Sequence, residues 1–540
     1  MKNCEIRGLN YFSTMKSIKV FLLLFAALFF FSCDTAKKAS TIGDDGILEF
    51  QILQMNDVYE ISPSPSDNIG GLARVATIRK ELLAKNPNTL TVLAGDFISP
   101  SVIGTLKHEG KRIRGKQIVE VLNTLGLDWV VFGNHEFDYD DQADLQARLD
   151  ESKFTWLGAN ARLKGATWTE PFFKNKAGGG TEICPDNKVI ALKDADGTTL
   201  NIGLFGVLIN SGRKPWVEYS DWAEAAKKNF NELKPQCDVV LALTHLALED
   251  DKKLAAMLPE IPLVMGGHEH DNMRVPVGPS VITKADANAK TVYVHTLRYD
   301  KRKKTCTVKS ELKKVNSSIV DEPATAAVIA KWEKIKNESL SSSGFNANAV
   351  VTKLEKPLDC RETVVRHSQA PVGSMITEAM LAVSRSKPEC ALLNSGSIRV
   401  DDVLSGTLTE LDIVRMLPFG GGITEVEMKG SMLRKTLETS LSNKGNGGYL
   451  QVNRARRDEA SGKWFIGANV LDDNKLYRVA LPDFLLSGNE SNMGFLKASL
   501  GADGKSNNPD IPKIIKPDPK DKSDLRNDVR LALIRHLRGE

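Results

Sequence analysis

The stretch Trp129-Val130-Val131-Phe132-Gly133-Asn134-His135-Glu136-Phe137-Asp138 reads as a short apolar strand, a glycine, and then a crowd of side chains able to bind metal or move protons. Four other places also set ligand-type residues just after an apolar run, two of them through glycine. Ile47 to Met55 runs into Asn56-Asp57, Leu90 to Ala94 into Gly95-Asp96, Val239 to Leu243 into Thr244-His245, and Pro262 to Met265 into Gly266-Gly267-His268-Glu269-His270. In a parallel α/β sheet, ligands collect at the carboxyl ends of strands, where loops converge and are open to solvent. The glycines let backbone approach a bound phosphate closely. A single Gly-Asp or Thr-His pair is ordinarily a turn or a satisfied core group; five such segments together specify one site along a sheet edge. Carboxylate, imidazole and amide donors suit zinc, manganese or iron better than calcium. Two ions sharing a carboxylate clamp the attacking and leaving oxygens of a phosphate ester.

Around these segments the chain alternates strands with amphipathic helices, the pattern of a layered α/β domain. Helices are expected over Leu72 to Ala84, Gln117 to Leu125, Trp222 to Leu233 and Leu248 to Met257, with hairpin insertions at 160–200 and 275–312. The catalytic unit is expected over 47–320 and a helical linker over 321–346, in which Ser341 to Ser343 read as a loop. A smaller α+β unit follows over 347–540, closed by a helix that Ser523 caps. No internal repeat is present.

The 72 basic and 68 acidic residues leave a net charge of +4 without a basic stripe interleaved with aromatics, which argues against a nucleic-acid polymer as partner. Lys16 and Lys19 precede the apolar run Val20 to Phe31, then Ser32 and Cys33. Twelve apolar residues are too few to span a bilayer but suit an export signal. Residues 1–33 are therefore read as a signal segment whose true start is Met15. It resembles a bacterial lipoprotein signal, which implies lipidation of Cys33, attachment to a membrane and a place in the cell envelope. Cys184, Cys237, Cys306, Cys360 and Cys390 show no CxxC spacing and read as buried structural thiols.

The Gly-Asn-His-Glu-Phe-Asp and Gly-Gly-His-Glu-His strings resemble the calcineurin-like metallophosphoesterases, and more narrowly the 5′-nucleotidase and UDP-sugar hydrolase family. The resemblance implies two divalent ions, zinc, manganese or iron. Asp96 bridges them, Asp57 and His270 complete one site, and Asn134, His245 and His268 the other. It implies that His135 faces the phosphate and that Asp138 orients its imidazole. One position departs from the pattern: the family's first motif is Asp-x-His, and here it is Asp57-Val58-Tyr59. Either the phenol ligates as a phenolate, which favours a ferric ion, or it turns away and leaves that ion one ligand short.

The second unit is similar to the family's specificity domain at Asp359-Cys360-Arg361, Arg366, Asn394 to Arg399, Leu417-Pro418-Phe419-Gly420, Gly447-Gly448-Tyr449 and Pro482-Asp483-Phe484. Phe419 and Phe484 offer two faces for a nucleotide base, a contact worth about 1–3 kcal/mol per stack. Arg361, Arg366 and Arg399 offer planar forks for phosphate and ribose oxygens, while Asn394 and Gly448 complete the substrate contacts. After Phe484 the family's glycine-rich run is replaced by Gly488 to Phe495, with Glu490 in place of the acidic residue. The expected activity is release of phosphate from nucleotides. The alternatives are a 2′,3′-cyclic-nucleotide phosphodiesterase with 3′-nucleotidase activity, a UDP-sugar hydrolase, or a degenerate nucleotide-binding surface lipoprotein.

Overall fold

The computed structural model describes residues 44–65, 67–210 and 214–540. The signal segment, Met15 and Cys33 lie outside the described residues. Among those described, no helix is long and apolar enough to cross a membrane.

The N-terminal unit is built on two six-stranded sheets. In the first, β1 (Ile47–Met55), β2 (Thr89–Leu93), β3 (Trp129–Val131) and β4 (Thr155–Leu157) run parallel. The long antiparallel hairpin Thr291–Asp300 and Thr305–Lys314 extends this sheet beyond β1. The second sheet centres on parallel β5 (Thr199–Leu208), β6 (Val239–His245), β7 (Leu263–Met265) and β8 (Ser280–Lys284). Leu48, Phe50 and Ile52 alternate along β1 and meet Leu241, Leu243 and Met265 of the second sheet, so one apolar core lies between the two sheets. Helices α1 (Leu72–Lys85), α2 (Lys116–Leu125) and α3 (Gln142–Glu151) cover the outer face of the first sheet, and α4 (Trp222–Leu233) and α5 (Leu248–Met257) that of the second.

This layering corrects the expectation of a single sheet edge. The continuous apolar character of both strand sets reads equally well as one doubly buried sheet or as two facing sheets, and the side-chain period does not distinguish them. Helix α6 (Pro323–Ser342) takes in Ser341 and Ser342 of the serines read as a loop and ends at Ser343, its C-cap, with Ser342 Oγ donating to the Glu338 carbonyl. It bridges two cores: Trp332 packs with the outer helices of the first unit, and Leu340 with the second.

The C-terminal unit holds a five-stranded sheet in the order Leu450–Asn453, Cys390–Asn394, Leu476–Pro482, Ile423–Lys429, Lys513–Ile515. The closing helix α7 (Val529–Arg538) is capped by Asp528, whose carboxylate accepts the Arg530 N–H at 2.9 Å, rather than by Ser523. Asp524 takes the Arg526 N–H and closes a separate 3₁₀ turn before it. Cys184, Cys237, Cys306, Cys360 and Cys390 are free thiols, and Cys184, Cys360 and Cys390 are buried.

Candidate active site

Both sheets deliver ligands to one place. Asp57, Asp96 and Asn134-His135 follow β1, β2 and β3; His245 ends β6, and His268 and His270 follow β7. Asp57, Asp96, His268 and His270 all adopt positive φ, at 53°, 56°, 91° and 64°. Non-glycine residues rarely take this conformation, and its concentration at one spot marks a functional site. Two glycines are required here by space. A Cβ at Gly133 would fall 2.1 Å from Asp96 Oδ1, and one at Gly267 2.4 Å from the Ala94 carbonyl.

The side chains are aimed as metal ligands are. His245 donates from Nδ1 to the Ala94 carbonyl at 2.7 Å, which leaves Nε2 facing Asp96 Oδ2 at 3.0 Å and Asn134 Oδ1 at 3.1 Å. Ligand atoms of Asp96, His245 and His268 lie within 4.8 Å of one another. Asp57 Oδ2 takes the His268 N–H and the Asn56 amide, while its Oδ1 is buried without a hydrogen-bond partner and lies 3.4 Å from His270 Nε2. An orphaned buried carboxylate oxygen is costly unless a cation meets it. Burial would pull the His245 imidazole down, but Asp96 and Asp57 push it up to about 9. The carboxylates therefore stabilise positive charge placed between them. Burial, reinforced by His245, pulls His268 down to about 4, the neutral form that ligates. The donor set fits metal ions.

His135 is close to the centre but differently committed. Its Nδ1 meets Asp138 Oδ2 at 2.9 Å, and its Nε2 stands 4.0 Å from Asp96 Oδ2. Burial opposes the charged ring, yet Asp138 and Asp96 push it up to about 9, which favours the imidazolium form. Asp138 also accepts from Ser99 Oγ at 2.8 Å and from Arg399 of the C-terminal unit at 2.9 Å. Beneath this loop, Phe132 and Trp156 pack with ring centroids 4.8 Å apart and Phe132 and Phe137 at 5.6 Å. Such pairs contribute about 0.5–1.5 kcal/mol each beyond burial and hold the loop rigid.

Tyr59 does not turn away. Its ring is buried, and its hydroxyl reaches 3.0 Å from His270 Nε2 and 3.4 Å from Asp96 Oδ2. The local sequence carries no signal for this direction.

Two supporting groups escaped the sequence reading. Glu136 is fully buried, and its carboxylate accepts the N–H groups of Gly133, Asp96, Phe97 and Ile98 at 2.6–3.2 Å. It ties the Asp96 loop to the Asn134 loop; burial and Asp96 push it up to about 7. Lys284, also fully buried, donates to the Leu246 and Gly267 carbonyls at 2.7 Å each and pairs with Asp251 and Glu269, joining the two histidine loops. A lysine inside an apolar strand was the available clue.

The substrate residues divide. Asn394, Phe419 and Phe484 line one cleft of about 910 Å³ together with Asp138, Gly447, Glu490, Lys497 and Lys516. The two rings are 63% and 44% exposed, which a core role would not allow. Asn394 Nδ2 donates to Glu490 at 2.8 Å. Gly448 lies behind this wall, where a Cβ would meet Asn443 and Glu490. Arg399 stands beside Phe419 and reaches the catalytic side, lining a small pocket with Tyr59, His135, His270 and Asp401. Arg361 and Arg366 are not brought into the cleft: Asp359 and Asp271 hold the first, Glu362 the second.

This layout has relatives. Residues 50–272 match the calcineurin-like phosphoesterase profile and residues 350–497 the 5′-nucleotidase C-terminal domain profile. The chain carries a calcineurin-like phosphoesterase domain followed by a 5′-nucleotidase C-terminal domain. It is similar to the 5′-nucleotidase of Bos taurus, with 26% identity over 508 residues covering 82% of this chain and 83% of the relative. It shares 26% identity over 511 residues with the 5′-nucleotidase of Homo sapiens, covering 82% and 84%. Among solved structures, the 5′-nucleotidase precursor of Thermus thermophilus superposes with a TM-score of 0.65 at 20% identity, covering 91% of this chain and 96% of that one. The sulfate thiohydrolase SoxB of the same organism gives 0.60 at 14%, covering 92% and 94%. The fold thus houses different chemistries, and this member is a metallophosphoesterase of the 5′-nucleotidase kind.

Proposed function

We propose that this protein releases phosphate from nucleotides, with the base held by the C-terminal domain and the ester cleaved at the N-terminal centre. The observation that carries this reading is the shared wall: Asp138, partner of His135, lines the same cleft as Phe419 and Phe484. A base between the rings leaves its phosphate on the side of His135 and Arg399. The nucleotidases of Bos taurus and Homo sapiens, alike over most of the chain, point to the same substrate class.

Asp57, Asp96 and His270 would hold one ion and Asp96, Asn134, His245 and His268 the other. Two bound ions supply a nucleophile at neutral pH and offset charge on the phosphoryl oxygens. His135, kept charged by Asp138, stabilises negative charge growing on the phosphoryl group, and Arg399 adds a guanidinium beside it. The test is twofold. On a panel of 5′-nucleotide, 2′,3′-cyclic nucleotide, UDP-sugar and p-nitrophenyl phosphate, the 5′-nucleotide is expected to give the highest kcat/KM. Asp96→Asn is expected to lower phosphate release by several orders of magnitude in a folded protein. Near-normal turnover of that variant with full metal content would sink the two-ion reading.

The signal segment supports export and anchoring through Cys33. Cys33→Ser is expected to move the protein from the membrane fraction to the soluble fraction.

A further inference from the structure

The cleft that holds Phe419 and Phe484 is lined by four carboxylates, those of Asp138, Asp140, Glu490 and Asp483. Three are already committed. Asp138 meets His135, Ser99 and Arg399, Asp140 pairs with Lys214 at 2.6 Å, and Glu490 accepts the Asn394 amide and the Ser491 N–H. The Asp483 carboxylate has neither a hydrogen bond nor an ion pair among the described residues, and the same is true of the ammonium groups of Lys497 and Lys516 on the same wall. Asp483 also stands where the two ring-bearing loops meet. It directly precedes Phe484, and its N–H donates to the Gly422 carbonyl at 2.9 Å. Its Oδ1 lies 3.1 Å from where a Cβ on Gly421 would stand, two residues after Phe419. Gly421 holds a φ of 104°, open to glycine and strained for other residues, so no side chain comes between this carboxylate and the slot.

We propose that these uncommitted groups read the edge of the stacked base and select guanine: Asp483 accepts from N1–H and the 2-amino group, and Lys497 or Lys516 donates to O6. A carboxylate offers two oxygens to two parallel N–H groups, and an ammonium offers donors only. Guanine sets two adjacent donors beside a carbonyl oxygen and satisfies both. Hypoxanthine keeps N1–H and O6 but lacks the second donor. Adenine turns the lone pair of N1 toward the carboxylate and its amino group toward the ammonium, so acceptor faces acceptor and donor faces donor. A site of this kind discriminates because the wrong base leaves polar groups unpaired.

The inference rests on the nucleotidase reading and refines its substrate. The full chain is assayed on the 5′-monophosphates of guanosine, inosine, xanthosine and adenosine, with p-nitrophenyl phosphate as a substrate that has no base. The expected order of kcat/KM is guanosine, inosine, adenosine, with guanosine ahead of adenosine by about 5- to 150-fold, the range for one bidentate contact to a base. Asp483→Asn replaces an acceptor by a donor, and xanthine replaces the 2-amino donor by a carbonyl. That variant is therefore expected to lose the guanosine preference and to turn over xanthosine 5′-monophosphate with a higher kcat/KM than wild type does. Lys497→Ala combined with Lys516→Ala is expected to lower guanosine and inosine relative to adenosine, because both carry O6, and the single variants identify the lysine. Ratios between substrates are the readout, since damage to the fold lowers all of them alike. Equal kcat/KM for guanosine and adenosine, a preference for adenosine, or a guanosine preference that survives Asp483→Asn overturns guanine selection and leaves the nucleotidase reading standing. Hydrolysis of p-nitrophenyl phosphate with none of any nucleotide overturns the nucleotidase reading itself.

Discussion

The carboxylate of Asp401, in the C-terminal domain, lies 2.8 Å from Nδ1 of His270, in the N-terminal domain. Asp401 is itself held at a φ of 41°, with its other oxygen accepting the Glu362 N–H at 2.6 Å. A metal-ligating imidazole is oriented by the group on its second nitrogen, and here that group comes from the substrate-binding half of the molecule. Arg399, two residues earlier, reaches Asp138 in the same way. In the proposed reading, base capture and metal binding are joined through one loop.

Removal of that contact has a measurable cost. Asp401→Ala is expected to weaken metal binding at the Asp57 and His270 half by about 10–100-fold, the range seen for such outer partners. Occupancy of the His245 and His268 half should be retained. Competition titration with a metallochromic chelator reads both, and equal weakening of the two halves would show that the loop acts on the whole fold instead.

His135→Ala separates charge stabilisation from metal binding. Loss of one preorganised donor is expected to lower kcat by about 10²–10³. Metal content by elemental analysis should not change, because the ring is committed to Asp138. Loss of metal would make His135 a ligand.

Phe419→Ala and Phe484→Ala are expected to raise KM for nucleotides and to leave hydrolysis of p-nitrophenyl phosphate unaltered. Each stack removed corresponds to about 1–3 kcal/mol, or roughly 5- to 150-fold in KM. Equal losses on both substrates would contradict a base-binding role.

His295 makes stability depend on acid. It is fully buried between Gln54 Oε1 and Ser310 Oγ, each at 2.9 Å, and burial pulls its imidazole down to about 3. In the unfolded chain it takes up a proton near pH 6.5. Below that pH the unfolded state binds more protons, so stability is lost as pH falls from about 6.5 toward 3, by up to about 1.4 kcal/mol per pH unit. His295→Gln is expected to flatten the fall in urea midpoint between pH 6.5 and 4. Parallel curves for the two proteins would assign the acid sensitivity elsewhere.

By itself the sequence determined the α/β class and the strand-end placement of Asp57, Asp96, Asn134, His245, His268 and His270, while the aromatic pair Phe419 and Phe484 was singled out only through the resemblance to the family's specificity domain. These signals are local: an apolar run sets a strand, and the residues that follow it, after a glycine at Asp96, Asn134 and His268, stand at its end. Only the tertiary structure decided that two facing sheets share the work, because apolar strands buried on both faces read alike in either arrangement. It also decided what Glu136, Lys284, Tyr59 and Asp401 touch. Asp401 is 131 positions from His270, and Lys284 is 38 from Leu246. Contacts across such separations follow from how sheets and domains pack, and neither a period nor a spacing along the chain records that packing.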